Sequence, residues 1–189
     1  HALGMETTST CAPMPAGGWF RSVIEMNPGE TVKDLPALSR VNPCPSNPKT
    51  YELITQQVEQ ASAFPGKYAY INCDEMYQEH KGARWNVCDL CTTRKMTGGD
   101  LFAEPVTHIH GELKKTGKTP AMLDTMCTVP WKMKGGFEKL PKDIPVGIWH
   151  PVVQDKLEQL GHPVYEWLDG DTWTIDATRK NVIGAVIPG

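Results

Sequence analysis

An α/β fold built on a parallel sheet follows from three features of this sequence. Short apolar segments, several rich in β-branched and aromatic residues, alternate with longer segments of helical period, as strands joined by crossover helices do. Several of these strand segments close on an acid or an aromatic residue, namely Asp74, Asp124, Trp149 and Asp169. The 189 residues are enough for one domain with a sizeable core, taken here as residues 1–189.

The elements can be read in order. Residues 7–29 have little periodicity and read as a long loop, a kind of segment that in compact domains is usually functional or disordered. Asn47 and Pro48 open a helix as N-cap and first-turn residue. Tyr51, Ile54, Val58 and Ala61 share one face of it, and Phe64-Pro65-Gly66 ends it. Residues 68–73 form an apolar, aromatic strand that closes on Asp74-Glu75. A helix from about 100 to 116 carries a stripe of Phe102, Val106, Ile109 and Leu113. Lys114 and Lys115 suit its C-terminal dipole and Gly117 stops it, while Pro105 implies a late start or a kink. Residues 119–124 and 143–149 are strands that end in Asp124 and Trp149. A short helix over 151–160 turns Val153, Leu157 and Leu160 inward and is closed by Gly161; strands over 163–169 and 181–186 follow. The count is five strands, parallel, with right-handed crossovers.

Charge and hydropathy exclude some classes of function. The net charge is −3 and the basic residues form no stripe, which argues against nucleic acid or an anionic membrane as partner. No apolar run approaches the roughly 18 residues of a spanning helix. No signal peptide is visible, which leans toward the cytoplasm, but the six cysteines leave the compartment open.

The most informative feature is the pair Asp74-Glu75. Two acids at the end of a buried strand are costly to desolvate unless they are paired or used. The C-terminal ends of strands are where α/β barrels keep their catalytic groups. The alternative is an acidic loop start that caps the next element. Cys88 and Cys91 form a CxxC, compatible with half of a structural zinc site, a disulfide or free thiols; no second CxxC completes a zinc site. No other cofactor is expected. His108 and His110 are two apart on a helix and face different ways, so they do not act as joint ligands. His150 and His162 flank the short helix as cap or loop residues.

The run Asn42-Pro43-Cys44-Pro45-Ser46-Asn47-Pro48, the helix after it, and Tyr70-Ile71-Asn72-Cys73-Asp74-Glu75 together resemble the middle of the family 20 glycoside hydrolases, the β-N-acetylhexosaminidases. The branch that includes hexosaminidase D is most similar. Leu123-Asp124-Thr125-Met126, residues 140–144 followed by Trp149, and Asn181-Val182-Ile183-Gly184 are similar to its later strands, in order. The resemblance implies a TIM-type (β/α)₈ barrel. This chain would carry it from the end of the third strand, at His1, to the eighth; the first strands would come from a missing N-terminal segment or from another copy in a homo-oligomer, or the chain would be a divergent partial barrel without them. It implies a carbohydrate partner, an N-acetylglucosaminide or N-acetylgalactosaminide.

It also implies substrate-assisted hydrolysis with retention, in which the sugar's own 2-acetamido oxygen attacks the anomeric carbon. Asp74 would then orient the acetamido group, and Glu75 would act as general acid and then base. His1, Asp124, Trp149, Trp167 and Asp169 would line the sugar site. The chain departs from the family pattern at Asn72-Cys73, at Leu123 and at His150-Pro151, and no Trp follows Gly184. These departures bear on the aromatic box that would hold the sugar.

Overall fold

The computed structural model describes residues 8–11, 45–71, 89–124, 135–167 and 182–186. Six strands, β1 (Thr8–Cys11), β2 (Tyr68–Ile71), β3 (Thr119–Leu123), β4 (Val146–Ile148), β5 (Val164–Trp167) and β6 (Val182–Val186), form one sheet in sequence order. Every neighbouring pair is parallel. A doubly wound sheet reverses its strand order at a switch point. This one does not, so right-handed crossovers put the helices that pack on the described sheet on one face, as around a barrel. The α/β, parallel, partial-barrel architecture expected from the sequence is the one observed.

The strand count differs from expectation. The segment read as a loop contains β1, paired with β2 from Thr8↔Tyr68 to Cys11↔Ile71. The strand beside β2, placed by the resemblance so as to end at His1, therefore ends at Cys11. Four residues, Thr-Ser-Thr-Cys, are too few and too polar to show a strand period, and pairing with β2 is what makes them one.

Helix α1 (Pro48–Ser62) begins as expected: Asn47 Oδ1 accepts from Lys49 N–H at 3.0 Å with Pro48 in the first turn. Its buried residues, Thr50, Ile54, Gln57, Val58 and Ala61, form one stripe. Helix α2 (Asp89–Arg94) was not foreseen. Helix α3 (Gly98–Lys115) starts earlier than Pro105 suggested and runs through it. The reason is a capping box: Asp100 N–H donates to Thr97 Oγ1 at 3.2 Å, and Thr97 N–H donates to Asp100 Oδ2 at 2.8 Å. Lys139 pairs with the same Asp100 carboxylate and ties α4 (Gly136–Lys139) to the start of α3. A 3₁₀ turn (Pro151–Val153) and α5 (Gln154–Gln159) make up the expected short helix, and Gly161 ends it at φ +85°.

The helix-side core joins Ile54 and Val58 of α1 and Phe102, Val106, Ile109 and Leu113 of α3 to Ala69 and Ile71, Met122, Val146, Ile148 and Val164 of the strands. Period-2 alternation sends Ala121, Leu123, Gly147 and Tyr165 to the opposite, inner face. His108 turns to α1, with Thr55 Oγ1 at 3.0 Å and Tyr51 edge-on at 5.0 Å, while His110 turns to Asp143 at 2.8 Å. The two therefore diverge as their spacing requires. Among the described residues no helix is long and apolar enough to cross a membrane.

Candidate active site at the C-terminal edge of the sheet

Register puts the C-terminal ends of the strands on one edge: Cys11 pairs with Ile71, Ile71 with Met122, Leu123 with Gly147, Ile148 with Glu166 and Trp167 with Val186. Asp124 follows directly on β3 and Trp149 and His150 on β4. These residues, 25 or 26 apart in sequence, meet there. Asp124 has 0% exposure. Its Oδ1 accepts from Trp149 N–H at 3.0 Å and its Oδ2 from His150 N–H at 2.9 Å. His150 Nδ1 lies 3.4 Å from the same carboxylate.

This carboxylate holds the backbone just beyond β4 by its two successive N–H groups. Charge-assisted bonds of this kind are about twice as strong as neutral ones. Burial raises the pKa of Asp124, and the N–H donors of His150 and then Trp149 act against burial. The turn that results presents the Trp149 side chain to solvent, 44% exposed, and leaves the His150 ring about one-third exposed. An exposed indole at the mouth of a barrel sheet offers an apolar face to stack on.

Beneath them Tyr165 fills the inner face. Its hydroxyl donates to Met122 C=O at 2.9 Å, and burial, followed by the nearby Asp124 charge, raises its pKa well above the ordinary phenol value. The ring crosses Gly147 so closely that a Cβ there would lie 2.6 Å from Tyr165 Cε2 and from Leu123 Cδ2. The floor under the Asp124 clamp is therefore closely packed.

Of the residues expected at the site, the structure brings Asp124 and the backbone of Trp149 into direct contact. Trp167 ends β5 on the same edge, its backbone paired with Val186. His1, Asp74, Glu75, Cys88 and Asp169 lie outside the described residues, as do the side chains of Cys91 and Trp167. Among the described residues no cluster of His, Cys, Asp and Glu could hold a metal ion. His150 was missed as a site residue. Its signal was its place directly after a strand-closing tryptophan, where the related branch has a different motif.

No model of a protein family matches the chain, and no curated protein matches it in sequence. Solved structures do match. The family 20 exo-β-N-acetylglucosaminidase from Vibrio harveyi, in complex with N-acetylglucosamine, superposes with TM-score 0.63 at 18% identity over 87% of this chain and 26% of that one. The β-N-acetylhexosaminidase from Bacteroides fragilis gives 0.58 at 13% identity, over 84% of this chain and 32% of that one. Aspergillus fumigatus Ega3, in complex with galactosamine, gives 0.54 at 11% identity, over 95% and 69%. The chain thus has a fold like the barrel of the family 20 glycosidases. It spans about a quarter to a third of the length of the first two enzymes.

Proposed function

We propose that the chain is part of a glycoside hydrolase that removes terminal β-linked N-acetylhexosamine with retention, the sugar's acetamido group assisting. The observation that carries this reading is the coincidence of sequence and register. β2 ends at Ile71, three residues before Asp74, on the edge where Asp124 and the exposed Trp149 lie. An acid pair that follows such a strand end so closely in sequence suits catalysis in a barrel. Asp74 orients the acetamido group and stabilises its developing positive charge, Glu75 protonates the leaving oxygen and then activates water, and Trp149 offers a stacking face. No enzyme nucleophile is needed.

The experiment is hydrolysis of chromogenic β-N-acetylglucosaminides and β-N-acetylgalactosaminides, with product stereochemistry followed by NMR. Glu75→Gln is expected to lower the rate by about 10²–10⁴-fold, less for substrates with very good leaving groups. Asp74→Asn is expected to slow all acetamido substrates alike. Equal cleavage of plain glucosides would remove the case for substrate assistance, and wild-type rates in both variants would remove the assigned roles.

A second reading has one specific observation behind it, the likeness to Ega3 over nearly the whole of this chain. Under it the sugar is a hexosamine with a free amine, and the acids pair with its ammonium group. Cleavage of galactosaminides in preference to their N-acetyl forms favours this reading. Binding of either sugar without cleavage indicates a non-catalytic sugar-binding relative.

A further inference from the structure

The Asp124–His150 contact has no place in the substrate-assisted scheme, which needs only the acid pair and a stacking face. A carboxylate with 0% exposure is already committed to two backbone N–H groups and still lies 3.4 Å from a ring nitrogen of the residue it clamps. The nitrogen it faces is Nδ1. A carboxylate accepts and never donates when ionised, so this contact selects the tautomer with the proton on Nδ1. Nε2 then carries a lone pair. Among the described residues Nε2 of His150 has no hydrogen-bond partner, and the ring is about one-third exposed. It belongs to the residue next to Trp149, on the same edge of the sheet.

We infer that Asp124 is a positioning residue for the Trp149–His150 turn, and that His150 Nε2 accepts a hydrogen bond from a hydroxyl group of the bound sugar. This rests on the proposed sugar-processing function. Trp149 supplies affinity by stacking, which tolerates many sugars. An acceptor of fixed direction adds selectivity, because a site built for a hydroxyl is left with an unpaired polar group when an analogue lacks one. The sequence marks Asp124 as a strand-closing acid expected to line the sugar site and His150 as a cap or loop residue. Only the two N–H bonds across the sheet edge reveal that the acid organises the turn.

Two measurements test this. In the ¹⁵N-labelled protein with His150 neutral, long-range ¹H–¹⁵N NMR is expected to show the Nδ1–H tautomer, and Asp124→Asn to shift it toward the Nε2–H form common in free imidazole. An unchanged tautomer in that variant overturns the positioning role. On β-N-acetylhexosaminides, His150→Leu is expected to raise KM about tenfold, the scale of one hydrogen bond to a desolvated partner, with kcat changed by less than about twofold. His150→Gln, which keeps an acceptor, is expected to recover part of the loss. A single-deoxy sugar lacking the contacted hydroxyl is expected to bind wild type no more tightly than His150→Leu, because only the wild type is then left with an unpaired acceptor. If KM does not move in His150→Leu while circular dichroism shows it folded, the contact is wrong. If the wild-type protein neither cleaves nor binds N-acetylglucosamine by calorimetry, the functional reading and the sugar contact both fall, and the tautomer measurement alone then judges Asp124.

Discussion

Gly147 fixes how closely the inner faces of β3, β4 and β5 approach. With Leu123 Cδ2 and Tyr165 Cε2 each 2.6 Å from where its Cβ would be, Gly147→Ala must push side chains out of a packed layer, at a cost of about 1–3 kcal/mol. Gly111, on α3, has nothing within 4 Å of its added Cβ, so Gly111→Ala should gain up to about 1 kcal/mol of helix propensity. Urea denaturation of the two variants is expected to give opposite signs. His162 carries a pH dependence. Its ring is 2% exposed and sits between Ile144 C=O at Nδ1, 3.3 Å, and Phe137 C=O at Nε2, 3.2 Å. A neutral imidazole can donate to only one of these. Burial nevertheless lowers its pKa below the ordinary 6.5, with Lys142 acting the same way and the two carbonyls and Asp143 opposing. The unfolded chain then binds more protons below 6.5, so the term that His162 adds to stability falls as pH drops through that value. The urea midpoint should decline between neutral and mildly acid pH, and decline less in His162→Gln.

At the scale of elements, α3 is the helix that packs against both α1 and α4 as well as the sheet, and it contains its own weak point. Phe102, Val106, Ile109 and Leu113 are all at 0% exposure, and the Thr97–Asp100 box with Lys139 fixes the helix start. Pro105 lies inside the helix and lacks the N–H that would reach the Leu101 carbonyl. The backbone disadvantage of an interior proline against alanine, about 3 kcal/mol, exceeds the gain from a stiffer unfolded chain, about 1 kcal/mol or less, together with a similar packing loss. Pro105→Ala is therefore expected to raise the thermal midpoint. A lower midpoint would show that the buried proline ring contributes more by packing than the missing hydrogen bond costs.

For the whole molecule, the decisive fact is a sheet wound in one direction. Each of β2 to β5 has two strand neighbours, whereas β1 and β6 have one each among the described residues. Unpaired edges template pairing with other chains. The 189-residue chain purified alone is expected to form dimers or larger species by light scattering, in proportion to concentration. A monodisperse monomer would mean that other residues of the chain cover those two edges. The same winding makes a single rim of all the strand ends, which is why acids and aromatics far apart in sequence can serve one site.

The α/β class, the parallel sheet, α1 with its Asn47 cap, the apolar stripe of α3, and the strands that end near Asp124 and Trp149 are all legible in the order of residues. Each of these is encoded locally, in a helical or strand period or in a cap within a few residues. The order of residues also singles out Asp74-Glu75, because two adjacent acids after an apolar run are chemically conspicuous. The rest depends on contacts between segments far apart in the chain or on cap geometry. Thr8–Cys11 is a strand because β2 pairs with it, and α3 begins at Gly98 because Thr97 and Asp100 close a box there. The acid that ends β3 became the clamp of a turn 25 residues on because parallel register sets Leu123 beside Gly147. Hydrogen bonds across a sheet leave no period along the chain, so a buried carboxylate and the backbone it holds become visible as a pair only when the strands are laid side by side.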